Sequence, residues 1–177
     1  MNIIEVIIKF IPLLGIITLS KAIWEYKVGQ NWKKSEFLAK EMKIFFDDQR
    51  IKLVLRMLDY NKSKVKLESG ETVINDVDLI NALQPHNLKS HFTITEMELR
   101  DLFDYFFDKL STFNIYIESG LISDAELYLY IKYYLEILST NKSKPEPLRN
   151  CFQKYIEYYQ FDGVKDLFSN MKKFKNL

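Results

Sequence analysis

The chain has 177 residues, of which 47% are hydrophobic and 28% charged, with 25 basic against 24 acidic side chains. This length fits a single domain, and the aromatic share of 15% with a net charge of +1 excludes a disordered chain. The lone cysteine, Cys151, excludes an intramolecular disulfide and any site built on several cysteines. The balanced charge gives no reason to expect nucleic acid as a partner.

Residues 1–26 predict a transmembrane anchor. Between positions 3 and 23 the charged residues are Glu5, Lys9 and Lys21, and a helix over 3–24 is about 33 Å long, enough to cross a hydrocarbon core of about 30 Å. A cleaved signal peptide is one alternative, although the segment lacks a basic n-region. A helix buried in a soluble core is the other, although almost no polar stripe is visible.

The end of this apolar run has the composition of a membrane interface. The residues that we assign to the interface are Lys21, Trp24, Tyr26, Lys27 and Trp32. Aromatic rings gather at the level of the headgroups, and an excess of lysine keeps its side of a span in the cytoplasm. The pattern therefore predicts a single-pass protein of the inner (plasma) membrane, with the N-terminus outside and the remaining chain in the cytoplasm.

Three residues of the anchor predict contacts between copies of the span. Gly15 would let two helices approach closely, and Glu5 and Lys9 are costly when they face lipid. A homo-oligomer that joins these positions would relieve both costs. The alternative is a monomeric anchor in which Lys9 extends to the headgroups.

The pattern of residues 27–138 predicts a helical cytosolic domain. Apolar residues recur at helical spacing on both sides of Asp47-Asp48, which interrupts or recaps the helix there. Alternation on both sides of a Ser-Gly turn predicts a β-hairpin near 64–74. Asp76 is placed as the N-cap of a short helix that ends before Pro85.

Two capping boxes and a linker divide the rest of the chain. Thr95–Glu98 and Ser123–Glu126 each predict a helix start, and Gly120 suits the residue after a helix end. The polar stretch Ser139–Lys144 predicts a linker, and residues 145–177 predict a C-terminal helical pair packed on the domain. The expected fold class is mainly α, with a transmembrane helix, a helical cytosolic domain and one small hairpin.

The sequence contains no recognisable catalytic motif or metal-ligand pattern, and we expect no cofactor. The candidate ligand-binding residues are Arg56, Asp59, Tyr60, Arg100 and Asp104. Two arginine–aspartate pairs that converged on one pocket would suit a nucleotide or phosphate ligand. The alternative is a structural role for both pairs. Arg100 would then pair with Asp104 on a solvated helix face, and Arg56 and Asp59 would bind each other or orient the hairpin.

Two further features lie toward the C-terminus. The tyrosines Tyr128, Tyr130, Tyr133, Tyr134, Tyr155, Tyr158 and Tyr159 predict either ordinary core or an aromatic docking surface. The basic tail with Lys172, Lys173 and Lys175 suits anionic lipid, together with the lysines that follow the span; a solvated helix end is the alternative.

Four stretches carry a resemblance to other proteins: Trp32–Phe46, Met57–Tyr60, Arg100–Asp104 and Gly120–Ile122. They resemble uncharacterised bacterial proteins with a single N-terminal transmembrane helix and a cytoplasmic helical domain. The resemblance runs over most of Trp24–Leu138 and implies no activity. The layout is also similar to small membrane effectors of bacterial antiviral systems, in which a cytosolic sensor domain controls an N-terminal span.

We therefore expect a membrane-anchored cytoplasmic interaction or sensor module of a bacterial cell, with an antiviral-defence effector as its narrower form. Its expected partners are the lipid bilayer and an unknown protein, because tethering raises the local concentration of the domain toward partners there. The alternative is an enzyme that acts on a nucleotide or phosphate through Arg56, Asp59, Arg100 and Asp104.

Overall fold

The computed structural model describes the backbone of residues 3–139, 143–171 and 173, and the side chains of the same set except residues 3–14 and 171. Over these residues the chain forms seven helices and one antiparallel hairpin, which confirms the mainly α class. The elements are α1 (Ile3–Asp47), α2 (Gln49–Asp59), β1 (Lys62–Leu67), β2 (Gly70–Asn75), α3 (Asp76–Ala82), α4 (Ile94–Glu118), α5 (Asp124–Ser139), α6 (Glu146–Tyr158) and α7 (Asp162–Met171).

The first helix, α1, is continuous over 45 residues and about 68 Å long at about 1.5 Å per residue. The sequence pattern predicts an anchor and a separate helix after it, whereas in the structure both belong to one continuous helix. Every residue from 15 to 29 is exposed, whereas Leu38, Met42 and Phe45 are buried in the core. One helix therefore has an uncovered first part and a buried last part.

Asp48 ends α1 and begins α2, as the sequence predicted for this pair of aspartates. Its carboxylate accepts the backbone N–H groups of Arg50 and Ile51 and, at 2.7 Å, the hydroxyl of Tyr105 on α4. Burial alone would raise the pKa of Asp48, but these hydrogen bonds and the nearby Arg50 charge lower it. The junction is thus both a local helix cap and a tie to the centre of the domain.

The hairpin packs one face of its first strand on the helices. Val65 and Leu67 of β1 and Ile74 of β2 are buried, which an isolated two-stranded hairpin cannot achieve alone. Glu98 of α4 holds its turn, accepting both the backbone N–H and the hydroxyl of Ser69 at 2.7 Å. The hairpin near 64–74 is therefore confirmed, with strands slightly longer than predicted.

Two helix caps differ from the sequence prediction. Thr93 with Glu96 forms the capping box of α4, two residues before the predicted one, because Glu98 binds the hairpin turn instead. Asn75 caps α3 in place of Asp76, whose carboxylate binds a distant lysine. In both places an acid that could cap its own helix makes a tertiary contact.

Helix α4 is the centre of the domain. Its buried aromatic side chains contact two other helices and the residue before a third: Phe113 lies beside Phe45 of α1, Phe103 beside Phe152 of α6, and Phe107 beside Phe161, which precedes α7. Such offset ring pairs contribute roughly 0.5–1.5 kcal/mol each beyond their buried area. The core is therefore organised around the aromatic residues of one helix.

Helices α7 and α4 approach each other closely at Gly163, at the start of α7. A Cβ atom at this position would stand 2.8 Å from Cα and 2.9 Å from Cβ of Ser111 on α4. Backbone cannot yield as a flexible side chain can, so we predict that Gly163→Ala lowers the free energy of unfolding by about 1–3 kcal/mol. Urea unfolding followed by near-ultraviolet circular dichroism measures this loss.

Gly29→Ala is the matched control, because a Cβ at that helical position meets nothing within 4 Å. We expect no loss there, since alanine is the better helix former by about 1 kcal/mol. Equal stability of Gly163→Ala and the parent protein would contradict the close contact.

Candidate functional site

The most unusual surface of the protein is the exposed part of α1, residues 15–32, which we call the arm. Its exposed large hydrophobic residues are Ile16, Ile17, Leu19, Ile23, Trp24, Tyr26, Val28 and Trp32. Soluble monomeric proteins rarely leave a contiguous apolar surface of this kind uncovered. The arm is therefore the first candidate for a functional surface.

The predicted interface residues all lie on the arm and all are exposed. Trp24 and Trp32 expose 64% and 72% of their surface, and no other element in the described part of the chain covers them. Lys21 forms an exposed ion pair with Glu25 at 3.7 Å, whereas Lys27 has no ion pair among the described residues. The structure thus keeps these rings and lysines available for a partner outside the domain.

The structure describes the side chains of only the last part of the predicted anchor. Glu5 and Lys9 lie outside the residues whose side chains are described, and so does the apolar run up to residue 14. Among the residues that are described, no helix carries an apolar stretch long enough to cross a membrane. Gly15 lies within the described part, and a Cβ atom there would meet nothing within 4 Å.

Arg100, a candidate ligand-binding residue, is buried and fully engaged. One guanidinium nitrogen donates to the carbonyls of Ala82 and Gln84 at 2.8 and 2.9 Å, and the other donates to the Tyr159 hydroxyl at 2.6 Å. The group also lies 4.4 Å from the ring centre of Phe92. Arg100 therefore joins α4 to the end of α3 and to α6.

Asp104, one turn further along α4, faces Tyr155 of α6. The Tyr155 hydroxyl donates to its carboxylate at 2.6 Å. Burial raises the pKa of Asp104, and the hydrogen bond and the Arg100 charge offset this only in part. Its neighbours Asp101 and Asp108 are exposed, and their negative charges also raise the pKa of Asp104. Among the described residues, no group of histidine, cysteine, aspartate and glutamate could hold a metal ion.

The other three candidate residues lie at the end of α2. Arg56 donates to the Lys64 carbonyl at 3.4 Å, and Asp59 forms a hydrogen bond with the Tyr133 hydroxyl; burial and this carboxylate raise the pKa of Tyr133. Tyr60 is exposed. Arg56 and Asp59 contact the hairpin and α5, whereas Arg100 and Asp104 contact the residues after α3 and helix α6. The structure therefore does not bring the five residues into one pocket.

A cleft of about 270 Å³ lies between α2, the hairpin and α4. Its charged lining residues are Arg50, Lys66, Glu68, Glu98 and Asp101. Both signs of charge are present, and Glu98 is already bound to the hairpin turn. None of the candidate ligand-binding residues lines this cleft.

Lys144 is the residue that sequence reasoning missed. The sequence places it in a polar linker, but it is 2% exposed, and its ammonium, with three N–H groups, lies within hydrogen-bond distance of four oxygens. Two are the carbonyls of Met57 and Tyr60 at 3.1 and 2.9 Å, and two are the side chains of Asn61 and Asp76 at 3.3 and 3.0 Å. The charge thus meets the negative end of α2 and a carboxylate. A lone lysine in a polar stretch carries no local signal for this role.

The tyrosine-rich stretch divides between core and surface. Tyr128 and Tyr155 are buried, whereas Tyr130, Tyr133 and Tyr158 are exposed, so part of the set belongs to the core and a docking role for the exposed part stays a prediction. Nearby Cys151 is buried, and burial raises the pKa of its thiol to about 11. The thiol therefore stays protonated and serves in packing.

No family model, curated protein or solved structure matches this chain. The resemblance to uncharacterised bacterial membrane proteins therefore remains a prediction from the four stretches that carry it.

Removal of the Lys144 ammonium is predicted to be strongly destabilising. Lys144→Met leaves the half-buried Asp76 carboxylate and two carbonyls without their donor, so the free energy of unfolding should fall by about 3–5 kcal/mol. The control Lys154→Met removes an exposed lysine and should stay within about 0.5 kcal/mol of the parent. Adding Asp76→Asn to Lys144→Met should recover part of the lost stability, because it removes the unpaired carboxylate. Equal free energies of unfolding for Lys144→Met and Lys154→Met would refute the stabilising role of the buried ammonium.

The raised pKa of Asp104 predicts a pH-dependent stability. A carboxyl that binds its proton more readily in the folded state stabilises the fold below its unfolded pKa, and this contribution is lost as pH rises through the folded pKa. Asp104→Asn mimics the protonated carboxyl group, so the variant does not lose this stabilising contribution as pH rises. Its stability relative to the parent protein should therefore increase from about pH 4 to about pH 7.

Urea unfolding across this pH range measures the effect, with Asp101→Asn as the exposed control on the same helix. A constant difference between Asp104→Asn and the parent protein at all pH values would show that Asp104 does not favour its protonated form.

Proposed function

We propose that this chain is a membrane-anchored interaction or sensor module of a bacterial cell. The N-terminal part of α1 anchors it in the inner (plasma) membrane, with the N-terminus outside and the helical domain in the cytoplasm. One observation carries the proposal: the uncovered apolar arm continues, without a break, into the helix that supplies Leu38, Met42 and Phe45 to the core.

The composition of the arm supports a lipid partner rather than a protein core. Its apolar side chains occur on several sides of the helix, and Trp24, Tyr26 and Trp32 stand at its domain-proximal half. Aromatic rings at the end of an apolar run are typical of the boundary between hydrocarbon and headgroups. Burial of apolar surface contributes about 25 cal/mol per Å², and the domain does not cover this surface.

The continuity of α1 supports a sensor role in particular. A flexible linker would let the domain move without affecting the anchor, whereas a continuous helix moves as one body over short distances. A partner that shifts the core helix at Phe45 would therefore tilt or rotate the arm. A narrower proposal is an antiviral-defence effector, in which binding by the domain controls the span.

The domain also offers a surface for an unidentified protein partner. On the outer face of α5, Leu129 is 81% exposed, and Tyr130 and Tyr133 are each nearly half exposed. Exposed aromatic and apolar side chains are enriched where proteins bind each other. Homo-oligomerisation through Glu5, Lys9 and Gly15 is a further proposal, and the open surroundings of Gly15 support it.

The two tryptophans of the chain, Trp24 and Trp32, provide the test. In vesicles with brominated acyl chains, the full-length Trp32→Phe variant reports on Trp24, and the Trp24→Phe variant reports on Trp32. The two positions are about 12 Å apart along the helix. We predict strong quenching of Trp24 and clearly weaker quenching of Trp32, because only the former reaches the hydrocarbon boundary.

Extraction with carbonate should leave both variants in the membrane pellet. Quenching of neither tryptophan, or release of the protein into the carbonate supernatant, would refute the anchor. Equal quenching of both would place the helix flat in the membrane surface rather than across it.

A further inference from the structure

The cleft between α2, the hairpin and α4 lies at the end of the domain opposite to the arm. Helix α1 runs antiparallel to α4, since Phe45 contacts Phe113 and the earlier Phe37 contacts the later Tyr116 at 5.2 Å. Glu98 lines the cleft and precedes Tyr116 by about 27 Å along α4, at about 1.5 Å per residue. The cleft is therefore well separated from the arm and from the membrane that we propose to hold it.

The floor of this cleft is apolar. Three leucines from three different elements line it: Leu53 of α2, Leu67 of β1 and Leu102 of α4. Leu67 and Leu102 are buried, and Leu53 is half-buried against the core. The volume of about 270 Å³ is just under the range of about 300–1,000 Å³ that is usual for drug-sized ligands. The cleft therefore suits a small molecule with one apolar part.

Three carboxylates line the cleft near the hairpin turn. Glu98 and Asp101 are neighbours on one face of α4, and Glu68 belongs to the turn itself. Both oxygens of Glu98 accept hydrogen bonds from Ser69 at 2.7 Å, but these neutral donors do not compensate its charge. In the described part of the chain, the side chains of Glu68 and Asp101 form no ion pair and no hydrogen bond. The acidic side of the cleft is therefore not neutralised within the fold.

The cations of the cleft are Lys66 and Arg50. Glu71, the cross-strand neighbour of Lys66, forms its ion pair with another lysine, and Lys66 has no ion pair among the described residues. The Arg50 guanidinium lies over the Tyr105 ring, 3.4 Å from its centre, and 3.7 Å from the Asp48 carboxylate. Neither cation is thus paired with a carboxylate that lines the cleft.

Opposite charges that share one cleft without pairing favour a ligand that carries both charges. Three carboxylates against two cations do not suit a phosphate or a nucleotide, whereas a zwitterion gives a partner to groups of both signs. Hydrogen bonds between ionised groups are about twice as strong as those between neutral ones. The leucine floor adds the burial of an apolar side chain.

We propose that this cleft binds a free α-amino acid with an apolar side chain. Lys66 and Arg50 bind its carboxylate. Asp101 and Glu98 bind its ammonium, and the three leucines cover its side chain. The inference rests on the proposed sensor function and names the class of small molecule that the domain senses.

Arg50 connects the cleft to the helix that carries the arm. The carboxylate beside it, that of Asp48, begins α2 directly after the end of α1 and accepts the Tyr105 hydroxyl at 2.7 Å. A ligand carboxylate in the cleft shares the Arg50 guanidinium with Asp48. Occupancy of the cleft therefore changes the charge balance at the junction where α1 ends.

Isothermal titration calorimetry of the full-length chain in detergent micelles tests the proposal. Leucine, methionine and phenylalanine are titrated separately, and at least one should bind with a dissociation constant below about 1 mM, within the range that matches metabolite levels. The amide of that amino acid lacks the carboxylate, and its N-acetyl derivative lacks the ammonium. Each derivative should bind at least about tenfold more weakly, because it loses hydrogen bonds between charged groups.

Two variants test the assigned residues. Lys66→Met and Asp101→Asn each remove one charge from the cleft and should weaken binding by at least about tenfold. The matched controls are Lys62→Met on the same strand and Asp108→Asn on the same helix; both residues are exposed and neither lines the cleft. The controls should keep the parent affinity within about twofold. Near-ultraviolet circular dichroism verifies that each variant is folded.

The outcomes separate this inference from the anchor. Absence of binding for all three amino acids, or equal affinity for the amino acid and its amide, would overturn the proposed ligand. Unchanged affinity in Lys66→Met or in Asp101→Asn would overturn it as well. Quenching of Trp24 in the Trp32→Phe variant does not depend on the cleft, so it would still support the anchor in each of these cases. Loss of that quenching with preserved amino-acid binding would count against the anchor alone.

Discussion

The continuity of α1 is the constraint on which the rest of the structure depends. Between its two ends a helix satisfies its own backbone groups, so it can leave a core and remain ordered without neighbours. This allows residues 15–29 to stand uncovered while Leu38, Met42 and Phe45 pack against the domain. The same helix that completes the core therefore fixes the direction in which the apolar arm leaves it.

Two buried cations hold together parts of the domain that are distant in the sequence. Arg100 binds the carbonyl of the last residue of α3 and the tyrosine that follows α6, and Lys144 binds carbonyls at the end of α2 and the carboxylate of Asp76. Carbonyls at helix ends lack partners within their own helix and attract positive charge. Both cations thus bind carbonyls at the ends of helices, and these hydrogen bonds within the fold leave them unavailable for a ligand.

This engagement bears on the choice between an enzyme and an interaction module. Arg100, Asp104 and Tyr155 form a compact polar group, but its hydrogen bonds are made within the fold, and it is separated from Arg56 and Asp59. The exposed apolar features of the chain lie instead on the arm and on the outer face of α5. Chemistry of this kind recognises a lipid surface or a protein, and it supports the proposed module.

The sequence alone determined the elements of this fold, because the signals lie within a few residues of one another. Helical spacing, the break at Asp47-Asp48, the hairpin and the left-handed Gly120 after α4, with φ of 70°, all follow from local backbone and burial preferences. Only the tertiary structure decided which acidic side chain caps a helix and which one binds a residue elsewhere in the domain. Glu98 and Asp76 could each cap a nearby helix, but Ser69 and Lys144 bind them from a distance. Such a choice depends on donors far along the chain, and no local pattern contains them.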